Sequence, residues 1–456
     1  MRKTILSAML SLGALHVSLA AVEERKIPKP TPPQLAWQQA ELGVIYHLDP
    51  RTFHGKDFAQ GELRYKPVKD INMFNPTELD TDQWLKVAKS MGARFAIIVA
   101  SHETGLRLWQ SDANPFSLKA VRWGDGKRDI VAEFFASCKK YDIKPGVFMD
   151  VRWNTQLAIV DFKVTKRSPL TQAQYKTLIE KEVEEICSRY GQLFELWFDG
   201  GSGPGPKDGG PDTLGIVEKY QKNCLFYFNQ DRGDVRWGGS ETGTVPYPCW
   251  ATFPASSMGD PQNLRNLFPL LKTGAPSGDY WMPAMSDAPL RNHNWFWDEG
   301  EDQKIRPLKA LVNMYYNSVG RNSTLIIGLT PDTRGLIPEP DVKRCAEWGD
   351  AIRNDFSNCV GQTQGAGNFI ELALPKPETF DLIVLQEDIR QGERVRAFVL
   401  EALQNGTWQP LAKGTCMGHK FIHRLEKPIT TDKLRLKIEA SIATPVISKM
   451  AIYLKK

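Results

Sequence analysis

Residues 193–201 of the chain read LFELWFDGG, an apolar run that carries two acidic residues and ends in two glycines. Such a run is typical of a buried β-strand. Because successive side chains of a strand point to opposite faces, Glu195, Trp197 and Asp199 share one face. An ionised carboxylate is costly to bury without a partner. We therefore expect Glu195 to be a structural residue paired with an Arg or Lys of a neighbouring strand. Asp199, at the strand end, is the better functional candidate, although a turn or capping role fits it equally well.

On both sides of this run, apolar segments alternate with amphipathic helices. Strands are predicted at residues 42–47, 94–100, 146–150, 193–199, 225–228, 280–283 and 324–329. Helices are predicted at residues 81–91, 129–140, 172–190, 215–222, 308–318 and 339–353. This order favours a parallel sheet covered by helices, but periodicity does not decide whether the sheet is open or closed. No glycine-rich phosphate-binding motif follows any strand, which removes the main reason to prefer an open nucleotide-binding sheet.

The pattern changes near residue 359, where short alternating segments replace the helices. These segments lie at residues 368–374, 379–386, 394–402, 434–439 and 447–454, and Asn405-Gly406 is a turn signal among them. The change predicts a second, all-β domain of the sandwich type.

The first residues predict export. Arg2 and Lys3 precede an apolar run and small residues that end at Ala20, the pattern of a secretory signal peptide over residues 1–20. No later stretch is apolar enough to predict membrane insertion. The formal charge of +5 becomes +3 when the two basic residues are removed (5 − 2 = 3), too small a bias to indicate nucleic-acid binding. The expected location is therefore the periplasm or the medium.

The seven cysteines are odd in number and scattered, which favours buried thiols over a disulfide framework, although one bridge is possible. No His-Glu-x-x-His, Cys-x-x-Cys or EF-hand spacing is present, so we expect no metal and no cofactor. In a closed parallel barrel, catalytic residues lie at the carboxyl ends of the strands. The polar residues at such positions are His47, Ser101, His102, Glu103, Asp150 with Arg152 and Trp153, Asp199, and Glu241 in a glycine-rich loop. Paired carboxylates among aromatic residues in an exported protein suggest glycoside hydrolysis.

Three stretches together resemble the α-L-fucosidases of glycoside hydrolase family twenty-nine. They are WFDGG at residues 197–201, DVRWGGSETG at residues 234–243 and LVNMYYNSVGRNSTLIIGLTPDTRGLIPEPDV at residues 311–342. The similarity runs from about residue 42 through the C-terminal domain, and the branch acting on α-1,3- and α-1,4-linked fucose is the most similar. The resemblance implies an α/β fold, a (β/α)8-like TIM barrel over residues 21–356, followed by a C-terminal β-sandwich of the galactose-binding, discoidin-like type over residues 357–456.

The resemblance also implies roles for individual residues. Asp199 matches the family's nucleophile, and Glu241 matches the acid/base residue of that branch. Eight residues match or adjoin sugar-binding positions: His47, Asp57, His102, Trp153, Trp197, Trp281, Arg291 and Trp295. Asp287 lies in the same stretch as the last three of these.

The expected activity is a retaining exo-α-L-fucosidase acting on a glycan, with an oligomeric state that the sequence does not reveal. Ser101 replaces a histidine that is common in the family, and Asp57-Phe58 replaces a Glu-Trp pair. Since a sugar-site group left unpaired costs about 1–3 kcal/mol, such changes can alter which sugar is accepted. One alternative is therefore an α-L-galactosidase. A second is a carbohydrate-binding relative that has lost activity.

Overall fold

The computed structural model describes residues 27–54, 66–227, 232–255 and 264–455, without the side chains of residues 264–266. The predicted signal peptide, Asp57, Phe58 and the last residue of the predicted strand at 225–228 lie outside these ranges. Within them, no helix is both long and apolar enough to cross a membrane.

Eight parallel strands form a nearly closed barrel sheet. They are β1 (Leu42–Tyr46), β2 (Phe95–Ser101), β3 (Lys144–Met149), β4 (Glu195–Phe198), β5 (Leu225–Tyr227), β6 (Arg236–Trp237), β7 (Ala284–Pro289) and β8 (Ser323–Leu329). The hydrogen-bonded order is β5-β4-β3-β2-β1-β8-β7-β6, so the sheet follows chain order and its two edge strands are consecutive in sequence. The predicted TIM-like barrel is confirmed.

Helices cover the outside of the barrel, and one precedes it. They are α1 (Pro32–Ala40), α2 (Thr81–Met91), α3 (Ile130–Tyr141), α4 (Gln172–Arg189), α5 (Thr213–Tyr220), α6 (Leu264–Thr273), α7 (Leu308–Tyr316) and α8 (Glu339–Asp355). Local signals set several ends: Asp80 caps α2, and Gly92 ends it at a φ of 89°, where glycine is favoured. Helix α1 was not predicted, although Thr31 and Gln34 form a capping box and the prolines occupy its first turn.

The predicted strand at residues 280–283 was wrong as a barrel strand. Tyr280–Trp281 pairs antiparallel with Thr252–Phe253, outside the barrel sheet. The barrel strand is β7, whose sequence AMSDAP has no apolar run. It is held by pairing with β8 and by a 2.6 Å hydrogen bond between the hydroxyls of Ser286 and Ser323, contacts that single-strand periodicity does not reveal.

Six antiparallel strands form the C-terminal domain: β9 (Cys359–Ala366), β10 (Phe369–Glu387), β11 (Val395–Gln404), β12 (Thr407–Gly414), β13 (Phe421–Ser441) and β14 (Val446–Tyr453). Their order is β9-β14-β10-β13-β11-β12. The long strands β10 and β13 pair with irregularities in register and enclose a core separate from that of the barrel. This arrangement fits the predicted β-sandwich. All seven cysteines are free thiols, and six of them are buried, as expected.

Helix α1 lies at the amino-terminal end of the barrel and inserts Trp37 into its interior. The Trp37 indole donates a 2.9 Å hydrogen bond to Oε2 of Glu195, which is fully buried. The expected partner of Glu195, an Arg or Lys of a neighbouring strand, was wrong. Oε1 of this carboxyl has no hydrogen-bond partner. Burial raises the pKa of Glu195 to about 8, and the smaller opposing effect is the hydrogen bond from the Trp37 indole, which lowers it.

We predict that Glu195→Gln stabilises the protein near neutral pH. The folded state holds the Glu195 proton up to about pH 8, whereas the unfolded chain releases it near 4.5. The contribution of this group to stability is therefore full below pH 4.5 and falls by about 1.4 kcal/mol per pH unit until pH 8. The gain of the variant over wild type should grow across that interval, as measured by denaturant unfolding at several pH values.

Glu182→Gln is the matched control. Glu182 is equally buried, but it accepts 2.9 and 2.7 Å hydrogen bonds from the guanidinium of Arg107. Breaking a buried ion pair destabilises, so this variant should unfold more easily at every pH. A Glu195→Gln protein that is as destabilised as Glu182→Gln would contradict the assignment of a neutral Glu195.

Candidate active site

The carboxyl ends of the barrel strands carry a ring of polar side chains. His47 follows β1, His102 follows β2, Asp150 follows β3, Asp199 follows β4 and Asp287 lies near the end of β7. The residues two positions earlier on four of these strands, Ile45, Phe148, Trp197 and Met285, belong to one apolar cluster inside the barrel. Because strand side chains alternate, the polar residues continue the same inner face above that cluster.

Aromatic rings form the floor and wall of this cup. Trp197 packs edge-on against Phe148 and Tyr227, with ring centroids 5.4 and 5.1 Å apart. His102 stacks on Phe148 at 5.9 Å. His47 lies 5.1 Å from Trp295. The sequence predicted Trp197, Trp295 and both histidines in the site, and the structure brings them together.

Both histidines are buried. Burial, with smaller effects from His102 and Arg51, holds the pKa of His47 well below its usual value, so this imidazole is neutral at neutral pH. Its Nδ1 atom has no hydrogen-bond partner. A buried, unpaired ring nitrogen is ready to bond a polar group of a ligand.

Asp199 and Asp150 are neighbours at the ends of β4 and β3. Asp199 is half-buried, and its backbone N–H donates to the Met149 carbonyl at 3.2 Å. Asp150 is fully buried, and its Oδ1 accepts from the backbone N–H groups of Arg152 and Trp153 at 2.8 and 2.9 Å. Burial, and next the charge of Asp199, raises the pKa of Asp150 well above its usual value.

Glu241 lies on the exposed loop after β6. The Trp295 indole donates a 3.0 Å hydrogen bond to its Oε2. Trp295 packs against Gly328, where a Cβ atom would come within 2.6 Å of its ring. Only glycine therefore leaves space for the indole that orients Glu241.

Asp287 connects the two carboxylates electrostatically. Burial raises its pKa to about 8, the charge of Glu241 adds to this, and Asp199 contributes further. The Trp237 indole, which donates to Oδ1 at 2.9 Å, opposes the rise. Since a charge acts strongly only at short range, Asp199 and Glu241 both lie near Asp287. Below about pH 8, Asp287 is neutral and adds no third negative charge to those of Asp199 and Glu241.

Two predicted sugar-binding residues do not join the cup. Trp281 precedes its barrel strand and donates a 2.9 Å hydrogen bond to Gln38 of α1, at the opposite end of the barrel. The Arg291 guanidinium is directed to Asp341 and Asp302, at 3.0 and 2.9 Å. The indole N–H of Trp281 and two of the three guanidinium nitrogens of Arg291 therefore have structural partners, whereas Nη1 of Arg291 is buried without a hydrogen-bond partner. Trp153 adjoins Asp150 at the rim, with the Arg152 guanidinium 5.5 Å from its ring.

Several lining residues were not predicted from the sequence: Phe148, Tyr227, Trp237 and Phe296. The first two lie on the inner face of strands that were predicted, so alternation could have found them. Trp237 and Phe296 come from a two-residue strand and a loop, which leave no periodic signal.

One described cluster has the composition of a metal site. Potential ligand atoms of His102, Glu103 and Asp150, all buried, lie within 4.8 Å of one another. The sequence motifs predicted no metal, and the cluster adjoins Asp199 at the same rim.

Known proteins are similar to this chain over most of its length. The family model for alpha-L-fucosidase matches residues 33–354. The chain is 28% identical to alpha-L-fucosidase 1 of Arabidopsis thaliana, over 98% of this chain and 92% of that protein. A solved Bacteroides thetaiotaomicron structure, described as a candidate alpha-L-fucosidase, is 48% identical with a TM-score of 0.90, covering 94% of this chain and all of that one. A glycoside hydrolase 29 family member from a rumen bacterium is 29% identical with a TM-score of 0.80, covering 95% and 78% of the two chains.

Proposed function

Because this chain belongs to the α-L-fucosidase family of glycoside hydrolases, we propose that it is a retaining exo-acting α-L-fucosidase. Its substrates would be glycans with terminal α-L-fucosyl residues, linked α-1,3 or α-1,4. The observation that carries this proposal is a pair of carboxylates at the carboxyl end of the barrel: Asp199 follows β4, and Glu241 is bound by Trp295, whose ring packs on His47 of the same cup. Retaining glycosidases use two carboxyl groups that flank the scissile bond.

In this proposal Asp199 attacks the anomeric carbon of the sugar while Glu241 donates a proton to the departing glycosidic oxygen. The resulting glycosyl ester on Asp199 is then hydrolysed by water, whose proton returns to Glu241. Trp295 supports this role because its indole orients the Glu241 carboxyl at 3.0 Å. Asp287, neutral below about pH 8, supports it because it adds no negative charge that would oppose the ionisation of either group.

The sugar would lie over the aromatic floor. Trp197, His47 and His102 meet there, with Trp295 at the wall and Trp153 at the rim. Binding pockets for sugars combine such apolar surface with a few placed polar groups. The neutral His47 supplies one of these, and Asp57 remains a candidate on the resemblance alone.

An α-L-galactosidase is the second candidate. L-Galactose differs from L-fucose by a hydroxyl at C6, and Ser101, whose buried hydroxyl has no hydrogen-bond partner, stands where the family commonly has a histidine. The unpaired hydroxyl of Ser101 favours a ligand with an additional hydroxyl.

We also propose that the protein is exported and that residues 1–20 are removed. The apolar run behind Arg2 and Lys3 supports this. Amino-terminal sequencing of the protein from the periplasmic or culture fraction of an expressing bacterium should begin at Ala21. An intact Met1 on protein purified from that fraction would overturn the proposal.

The catalytic assignment predicts distinct losses in two variants. Asp199→Asn should abolish turnover of aryl α-L-fucosides, since no carboxylate remains to form the ester. Glu241→Gln should lose about 10²- to 10⁴-fold on oligosaccharides but much less on aryl fucosides whose leaving group needs no proton. Azide should accelerate Glu241→Gln by attacking the accumulated ester.

Asp112→Asn, which changes an exposed carboxylate, is the control for these assays. NMR of the first product anomer should show α-L-fucose, as retention requires. Initial release of the β anomer would exclude the retaining mechanism. Full activity in Asp199→Asn would exclude Asp199 as the nucleophile.

The choice of glycone is tested by kcat/KM for nitrophenyl α-L-fucoside and α-L-galactoside, followed by α-1,2-, α-1,3- and α-1,4-linked oligosaccharides. We expect the fucoside and the 1,3 and 1,4 linkages to be preferred. A preference for the galactoside would select the second candidate. Binding without turnover of any of these sugars would instead identify an inactive carbohydrate-binding protein.

A further inference from the structure

Asp150 has no role in the mechanism above, yet its position beside the proposed nucleophile is fixed by the sheet. Strands β3 and β4 pair in parallel, with Phe148 opposite Trp197 and Met149 opposite Phe198. The next positions are Asp150 and Asp199. The Asp199 N–H continues the ladder to the Met149 carbonyl at 3.2 Å. Because neighbouring strands are about 4.8 Å apart and both residues face inward, the two carboxyl groups lie side by side.

The two groups differ in their surroundings. Asp199 is half-buried, whereas Asp150 is fully buried. Oδ1 of Asp150 accepts two backbone N–H groups, which favour its charged form. Oδ2 is equally buried and has no hydrogen-bond partner. An ionised, unpartnered oxygen at such a place is costly, and a proton removes that cost.

Among the described residues, the arginine that interacts electrostatically with Asp150 is already paired with another carboxylate. His102 and Glu103 come from the end of β2, and their ligand atoms lie within 4.8 Å of the Asp150 carboxyl. Tyr175 of α4 donates its hydroxyl to the Val151 carbonyl. Arg107 interacts electrostatically with Asp150, but its guanidinium is paired with Glu182 at 2.7 Å. The strongest neighbouring charges on Asp150 are the negative ones of Asp199 and Glu103.

We propose that Asp150 is a positioning residue for the nucleophile, holding a proton on Oδ2 while Asp199 is ionised, so that the pair carries one negative charge. This inference rests on the proposed role of Asp199. Two like charges side by side do not both ionise near neutral pH, and the more deeply buried member keeps the proton. The exposed member is then the one that is charged and able to attack.

Infrared difference spectra of wild type against Asp150→Asn test the protonation directly. At neutral pH, the carbonyl stretching band of a protonated carboxylic acid should be present in wild type and absent from the variant. This band should disappear only at alkaline pH. Its absence at neutral pH would overturn the proposal.

The coupling to Asp199 is tested by titrating the same band in Asp199→Asn, which removes the neighbouring charge. The midpoint for Asp150 should fall by about one pH unit or more. The band of Glu195, identified with Glu195→Gln, is the matched control, because the raised pKa of Glu195 comes from burial and no effect of Asp199 is among its causes. An unchanged Asp150 midpoint would overturn the pairing.

A kinetic readout follows from the same proton. The substrate 2-chloro-4-nitrophenyl α-L-fucoside has a leaving group that needs little acid assistance. With it, wild-type kcat/KM should be highest below the pH at which the Asp150 band is half lost, and should fall as the pH rises through that value. In Asp150→Asn, which cannot ionise, that decline should move to higher pH. The pKa of Asp287 is about 8, so its ionisation could also lower kcat/KM in this pH range. The pH profile of Asp287→Asn shows how much of the decline comes from Asp287.

Two further outcomes are distinguishable. Elemental analysis could find a metal ion in the protein, and the acid band could appear only after chelation. That result would make His102, Glu103 and Asp150 a metal site and would contradict the proposal that Asp150 holds a proton. Full activity in Asp199→Asn would overturn the proposed function, whereas the spectra test the pair without any turnover.

Discussion

The alternation of side chains along parallel barrel strands is the constraint on which this site depends. Once Phe148 and Trp197 fill the interior, the residues two positions later must face the space above them. Asp150 and Asp199 are therefore brought together by the in-register pairing of β3 and β4. The carboxyl-end location of active sites in such barrels has this geometric origin.

Desolvation then divides the carboxyl groups into two kinds. Glu195, Asp150 and Asp287 are buried, and burial is the largest cause of the raised pKa of each. Glu241 is exposed and Asp199 is half-buried. The two groups that the proposed chemistry needs are therefore those that water still reaches. Of the buried three, Asp150 and Asp287 lie at the carboxyl end of the barrel, where a neutral carboxyl group reduces the negative charge around the proposed sugar site.

The C-terminal domain is joined to the barrel by polar contacts. Glu393 accepts hydrogen bonds from the Ala251 N–H and from the side-chain amide of Asn322, the residue that precedes β8. Tyr247 donates its hydroxyl to the Cys416 carbonyl at 2.9 Å. These contacts hold the loop after β6 and the start of β8, the strand whose Gly328 receives Trp295. The β domain thus supports the elements that position Glu241.

The sequence by itself determined the alternation of strands and helices, the β domain and the strand-end candidates, since strand and helix periods are local properties, whereas closure of the sheet into a barrel was implied only by the resemblance. It located Asp199 by its place at the end of an apolar run, and resemblance identified Glu241. Only the tertiary structure decided that Glu195 bonds Trp37, that Trp281 and Arg291 serve structural partners, and that Asp150 stands beside Asp199. Those facts depend on which residues distant in sequence pack together and on how fully water is excluded from them. The periodicity of a single segment predicts neither.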